Sequence, residues 1–180
     1  MTAPIAGGSP RVTARVAGVF YLLTIVCGSL ALASPQVATA GTLAASLSYV
    51  VVTLLFERLF RPVNPALSRL AAVVGLAGCA VGILSLFHLM PFPLNSLALF
   101  GVYCLLIGTL ILRSTFLPGV LGVLMAFGGL GWLTFALPSL ARRLAPFNML
   151  PGVLGETALT LWLVVFAVNE TRWKEQASRT

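Results

Sequence analysis

Charged side chains are scarce in this sequence, and several kinds of site-forming residue are missing altogether. Only 8% of the 180 residues are charged, compared with roughly a quarter in soluble domains. There is no aspartate, and His88 is the single histidine. A haem held by two histidines, a zinc-protease helix or a site of several carboxylates cannot be assembled from one such chain. We therefore expect no metal and no other cofactor.

The three cysteines give no sign of redox chemistry. Cys27, Cys79 and Cys104 each fall inside an apolar run, share no CxxC spacing and cannot all pair with one another. We interpret them as small apolar packing residues.

The abundant residues are hydrophobic, at 59% of the chain, which indicates a membrane protein. The formal net charge of +7 comes from basic residues that stand singly or in pairs between apolar runs. This spacing leaves no basic face for nucleic acid, so we expect no nucleic-acid partner. The lipid bilayer, with its anionic headgroups, is the expected partner.

Uncharged runs predict six membrane-spanning helices, since about 20 apolar residues cross a bilayer. Residues 16–56 provide two spans broken near 34–36, and residues 70–112 provide two more broken near 91–95. A fifth span lies between Arg113 and Arg142, and a sixth between Arg143 and Glu170. All eleven prolines fall in the N-terminal tail or at these boundaries, where a missing amide donor costs little. The predicted fold is all-α, an integral membrane bundle of six transmembrane helices.

The same pattern divides the chain into a disordered tail at 1–10, a six-helix domain at 11–173 and a cytoplasmic C-terminal tail at 174–180. Residues 57–69, with three arginines and two prolines, predict a polar connection rather than a helix. The first span also resembles a cleavable signal peptide. Its apolar run is longer than the roughly 7 to 15 residues of a signal core, which favours a retained helix.

Basic residues divide unevenly between the two predicted sides of the membrane. One side has nine and the other has only Arg142 and Arg143, a bias that predicts cytoplasmic termini. The nine are Arg11, Arg15, Arg58, Arg61, Arg69, Arg113, Arg172, Lys174 and Arg179.

Small residues at helical spacing mark the faces on which we expect the helices to pack. They are Gly75, Gly78 and Gly82 in the third span and Gly101 and Gly108 in the fourth. The GxxxG of Gly78 and Gly82 could form a dimer surface, but an internal contact is the commoner use in a six-span chain. We predict no oligomer from it.

Glu156 is the only carboxylate inside a predicted span, and it is the main candidate for function. A charged residue at the centre of a span raises the free energy of membrane insertion by roughly 2.5 to 3.5 kcal/mol. The favourable insertion of the surrounding leucines and valines offsets this cost. At a rise of about 1.5 Å per residue Glu156 lies about 9 Å below the outer surface. His88 is expected near that surface, and Arg142 and Arg143 outside it.

Two hypotheses follow for this carboxylate. In the first, Glu156, His88 and an external arginine form a proton- or cation-responsive site that is open to the outside. Tyr21 and Tyr49 would line this candidate intramembrane polar site. Alternatively, Glu156 makes a structural hydrogen bond or ion pair that fixes the start of the sixth span, and the tyrosines simply pack.

Four stretches together resemble a known bacterial family. They are RVAGVFYLLTIVCG from Arg15, LFRPVNPALSRLA from Leu59, RSTFLPGVLGVLMAFGGLGWL from Arg113 and PGVLGETALTLWLVVFAVN from Pro151. They are similar to the membrane proteins known as domain of unknown function 4386. Residues 34–43 and 91–95 are shorter than expected, which suggests a compact member. The resemblance implies a multi-pass protein of the bacterial inner membrane, with no assigned activity and no role for Glu156.

Motifs for catalysis are missing from the sequence. There is no GxSxG elbow, no phosphate-binding loop and no HExxH, and the predicted loops are too short for a catalytic domain. We do not expect an enzyme. The two candidate functions are a non-catalytic membrane module that binds or stabilises a partner, and a small transporter or channel-like protein that uses an outward-facing, protonatable Glu156.

Overall fold

A computed structural model describes residues 9–90 and 94–179, and all regular structure in these ranges is helical. Three short 3-10 turns, Pro35–Val37, Thr134–Ala136 and Phe147–Met149, join some of the helices. The eight α-helices are α1 Pro10–Ala33, α2 Ala38–Phe60, α3 Pro65–Leu86, α4 Ser96–Arg113, α5 Gly119–Leu133, α6 Pro138–Leu144, α7 Leu150–Val165 and α8 Glu170–Ala177.

Six of these helical segments are long and apolar enough to cross a membrane, so the predicted all-α, six-span fold is confirmed. The spans comprise α1 to α5 and α7, some extended by an adjoining 3-10 turn. Their outer faces carry exposed aliphatic side chains, among them Leu32, Val73 and Leu154 at 80%, 64% and 61% exposure. An apolar outer surface of this kind is suited to lipid and not to water.

The spans form a closed ring. Each span packs on the next along the chain, α5 packs on α7, and α7 returns to α1. The interior of the ring is filled by aromatic and aliphatic side chains, including Tyr21, Tyr103 and Phe56. Every span therefore has two neighbours and one face toward the centre.

Contacts between distant segments bring the first and the last described residues to one end of the bundle, called here the terminal end. Ser9 Oγ donates to Glu170 Oε2 over 3.0 Å, and Trp173 Nε1 donates to the Leu59 carbonyl over 2.8 Å. The Gln176 amide donates to the Arg113 carbonyl over 3.3 Å. Helix α6, between α5 and α7, lies at the opposite end.

Prolines and asparagines explain where many of the helices begin. A proline occupies the first or second position of α1, α3, α6 and α7, where its missing N–H is not needed. Asn64, Asn95 and Asn169 cap α3, α4 and α8 by accepting a hydrogen bond from a first-turn backbone N–H. The sequence prediction placed the prolines at span boundaries, and in these four helices they lie there because proline suits the first turn of a helix.

The boundaries differ from the sequence prediction in places. The polar connection predicted at 57–69 is shorter than expected: α2 continues to Phe60 and α3 already begins at Pro65, so only residues 61–64 join the two helices. Glu57 and Arg61 explain this, since their 2.9 Å ion pair at i, i+4 spacing supports the last turn. Helices α6 and α8 were not foreseen, and most of the predicted C-terminal tail belongs to α8. The predicted disordered tail lies, up to residue 8, outside the described residues, as do residues 91–93.

Glycine pairs allow α4 and α5 to approach closely. A β-carbon at Gly108 would stand 2.7 Å from the Gly122 carbonyl oxygen, and one at Gly101 would stand 2.9 Å from the Gly129 carbonyl. The reverse contacts of Gly122 and Gly129 are equally short. Because the obstructing atoms belong to the backbone, neither helix can accommodate a side chain there without moving.

The glycines of α3 face inward to different degrees. A β-carbon at Gly75 would meet the Thr53 side chain at 2.9 Å, and one at Gly78 would meet the Phe100 ring at 2.8 Å. Gly82 has only an ordinary contact, 3.7 Å from Ser96. Since Phe100 covers Gly78 from α4, this glycine makes an internal contact in the bundle.

Candidate functional site

Glu156 is held by hydrogen bonds from two neighbouring helices. Trp132 Nε1, at the end of α5, donates to Glu156 Oε1 over 2.6 Å. Cys104 Sγ, on α4, donates to the same oxygen over 3.7 Å. Both donors are nearly or fully buried, whereas Glu156 keeps some exposure. One carboxylate oxygen thus joins α7 to α5 and α4.

Two glycines of α7 make room for this arrangement. A β-carbon at Gly152 would overlap the indole ring of Trp132, and one at Gly155 would stand 2.5 Å from the Leu124 carbonyl oxygen. On α5, a β-carbon at Gly128 would lie 3.0 Å from the Pro151 carbonyl. The Trp132 ring reaches the carboxylate by crossing α7 directly over a residue that has no side chain.

Three tyrosines fill the centre of the ring beside this carboxylate. The ring centroids of Tyr21 and Tyr49 are 5.4 Å apart, and those of Tyr49 and Tyr103 are 5.6 Å apart, both edge to face. The Tyr21 hydroxyl lies next to Glu156. All three tyrosine hydroxyls, and that of Thr53, are buried and find no well-aligned hydrogen-bond partner among the described residues.

His88 has a different place in the fold from the other predicted site residues. It is exposed, and it ends α3 in the left-handed conformation with φ of 56°. The following Leu89 N–H then reaches back to the Leu84 carbonyl over 2.9 Å, closing the helix end. Within the described ranges the His88 side chain makes no hydrogen bond or ion pair, with Glu156 or otherwise.

The external arginines are likewise not paired with the carboxylate. Arg142 and Arg143 lie exposed on α6. In residues 9–90 and 94–179 the two ion pairs are Arg61 with Glu57 and Lys174 with Glu170, both between neighbouring turns of one helix. The structure therefore places Tyr21 beside Glu156 and Tyr49 against Tyr21. Among the described residues, it does not join His88, Arg142 or Arg143 to the carboxylate through a polar contact.

Trp132 was missed by the sequence prediction, although a signal for it exists. An indole N–H is a donor only, and inside an apolar span it needs an acceptor. Glu156 is the only carboxylate inside a span predicted from the sequence, so the pairing of the two could have been proposed. Cys104, interpreted as a packing residue, is buried as expected and also contacts the carboxylate.

No metal-binding cluster is evident around this carboxylate. Across the described part of the chain, no three His, Cys, Asp or Glu side chains come together in a group that could hold a metal ion. What the arrangement offers chemically is hydrogen bonding: one carboxylate, one indole donor, one thiol and several hydroxyls.

Comparison with known proteins supports the family and gives no activity. No curated protein and no solved structure matches the chain. The motifs that begin at Arg113 and Pro151 lie almost entirely within the segment that a family model matches, whereas those that begin at Arg15 and Leu59 precede it. That model, described as "Domain of unknown function (DUF4386)", matches residues 92–167, less than half of the chain, and confirms for this segment the resemblance that the motifs show.

Proposed function

We propose that this protein is a non-catalytic membrane module that binds or stabilises a partner in the bilayer, and that Glu156 has a structural role within it. The observation that carries the structural role is the 2.6 Å hydrogen bond between Trp132 Nε1 and Glu156 Oε1, which fixes α7 against α5. The short connections between the spans, which leave no room for a catalytic domain, support the non-catalytic part of the proposal.

Energetics favour this structural role. A hydrogen bond to a charged group contributes about 1.5 to 3 kcal/mol, and leaving a buried donor unsatisfied costs about 1 to 3 kcal/mol. Trp132 is 8% exposed, so its N–H depends on the carboxylate. Two surface clefts, lined by residues such as Thr115 and Arg172, lie at the terminal end of the bundle, away from this pair.

One observation supports the second candidate, a small proton- or cation-responsive transporter. Glu156 Oε2 accepts no well-aligned hydrogen bond from a described residue, and the side chain is only partly buried. The adjacent hydroxyls of Tyr21, Tyr49 and Tyr103 also lack well-aligned partners. Such groups could pass a proton, as ionisable groups within membranes often do.

Proton flux into liposomes distinguishes the two candidates. We expect vesicles containing the protein and vesicles containing Glu156→Gln to show the same flux as empty vesicles between about pH 5 and 8, where a perturbed carboxyl group could titrate. Glutamine keeps an oxygen that Trp132 can use, so the variant should fold. A flux that needs the parent protein and disappears in Glu156→Gln would overturn the structural role and establish the transporter.

We further propose that the terminal end faces the cytoplasm of a bacterial cell, with the protein in the inner membrane. The nine basic residues of the predicted inner side belong to helix ends and tails at this end, and Arg142 and Arg143 to α6 at the other. This bias is typical of cytoplasmic loops. Green fluorescent protein fused after Thr180 should fluoresce, and alkaline phosphatase fused at the same position should be inactive. The reverse pattern would show that the terminal end faces away from the cytoplasm.

A further inference from the structure

A cleft of about 710 Å³ opens at the terminal end, bounded by α1, the connection between α4 and α5, the end of α7 and α8. Its lining combines two kinds of surface. Arg11, Thr115 and Arg172 provide polar groups, and Trp162 and Phe166 provide an aromatic wall. A cleft that is cationic on one side and aromatic on the other is suited to an amphiphilic ligand.

The polar part of the cleft carries excess positive charge. Glu170 also lines it, but its carboxylate pairs with Lys174 at 2.9 Å and accepts the Ser9 hydroxyl at 3.0 Å. The hydrogen bond from Lys174, followed by that from Ser9, holds the pKa of Glu170 below its usual value. The Arg172 guanidinium donates to the Thr115 carbonyl at 3.4 Å, and within the described residues neither Arg172 nor Arg11 forms an ion pair with a carboxylate.

The apolar part continues onto the outer surface of the bundle. Buried Phe116 and Val168 form the floor, while Phe166 is 59% exposed and stacks on Trp162 with centroids 4.6 Å apart. The transmembrane helix α7 ends at Val165, between the two residues of this wall, Trp162 and Phe166. The arginines thus lie at the level of lipid headgroups and the aromatic wall at the level where acyl chains begin.

We propose that this cleft binds an anionic phospholipid, with the headgroup phosphate between Arg11 and Arg172 and the start of an acyl chain against Trp162 and Phe166. Guanidinium groups bind phosphate oxygens through paired hydrogen bonds, and the aromatic wall replaces water around the chain. The site is independent of the role of Glu156, since it requires only that the six helices lie in a bilayer.

Lipid titration of the purified protein tests the proposal. Phosphatidylglycerol should raise the thermal unfolding midpoint in detergent more than phosphatidylcholine does, and native mass spectrometry should retain it. Because each basic side chain near an anionic surface contributes about 1 kcal/mol, Arg11→Gln/Arg172→Gln should weaken phosphatidylglycerol binding by about twenty-five-fold. Arg142→Gln/Arg143→Gln removes the same charge from the opposite end and should leave binding unchanged.

Several results would overturn the site. Equal weakening in the two double variants would mean that net charge, not the cleft, attracts the lipid. Equal protection by inorganic phosphate would mean that the apolar wall takes no part. If Arg11→Gln/Arg172→Gln does not fold, Arg11→Lys/Arg172→Lys retains both charges but cannot make the paired hydrogen bonds. Weaker phosphatidylglycerol binding than in the parent protein supports the site, and unchanged binding contradicts it, because charge alone would then attract the lipid.

Discussion

Replacing Gly152 by alanine is expected to lower the free energy of unfolding by about 3 to 5 kcal/mol. The new β-carbon would overlap the indole ring of Trp132, which the hydrogen bond to Glu156 holds across α7. Overpacking of this kind costs about 1 to 3 kcal/mol, and losing a hydrogen bond to a charged group costs about 1.5 to 3 kcal/mol more. The overlap displaces either the Trp132 ring or α7, and either displacement separates Trp132 Nε1 from Glu156 Oε1, so the hydrogen bond is lost together with the packing.

Reversible unfolding in detergent, followed by circular dichroism, measures this loss, and Gly82→Ala is the matched control. A β-carbon at Gly82 would make an ordinary contact, 3.7 Å from Ser96, so this variant should change stability by about 1 kcal/mol at most, with alanine favoured as the better helix former. Equal, small effects in both variants would show that the Trp132 ring can move aside and does not fix α7.

The six spans could be predicted from sequence because the bilayer restricts the possibilities so strongly. An uncharged run of the right length must be helical to satisfy its backbone in lipid, and prolines such as Pro65 and Pro138 mark helix starts. The difference at residues 57–69 has a related cause. Charged side chains such as Glu57 and Arg61 end the membrane-embedded part of a helix, but the helix itself continues into the headgroup region.

The neighbours of Glu156 were harder to predict, because hydropathy does not specify which faces of the helices meet. The ring closes through α7, which packs on both α5 and α1 and so brings Trp132 and Tyr21 to the same carboxylate. His88 was expected near Glu156 because both belong to the outer part of their spans. Its backbone at φ of 56° instead shows that it ends α3, a role that depends on local geometry and leaves no periodic signal.

A double-mutant cycle on Trp132 and Glu156 should give a coupling energy of about 1.5 to 3 kcal/mol. Trp132→Phe removes the indole donor of Glu156 but preserves most of the ring, so in the parent protein it leaves the carboxylate with Cys104 and the adjacent Tyr21 hydroxyl. In a Glu156→Leu background the same substitution removes no hydrogen bond. The difference between the losses of unfolding free energy that Trp132→Phe causes in the two backgrounds is the coupling energy of the pair. This energy measures the interaction that we propose fixes α7.

Trp162→Phe provides the control for this cycle, because Trp162 lies two turns further along α7 and its indole makes no hydrogen bond within the described residues. Its effect should add to that of Glu156→Leu within about 0.5 kcal/mol. Glu156→Gln should retain part of the coupling, since the amide oxygen still accepts from Trp132. If Trp132→Phe and Glu156→Leu were also additive, the 2.6 Å contact would contribute nothing to stability, and the structural role of Glu156 would have to be abandoned.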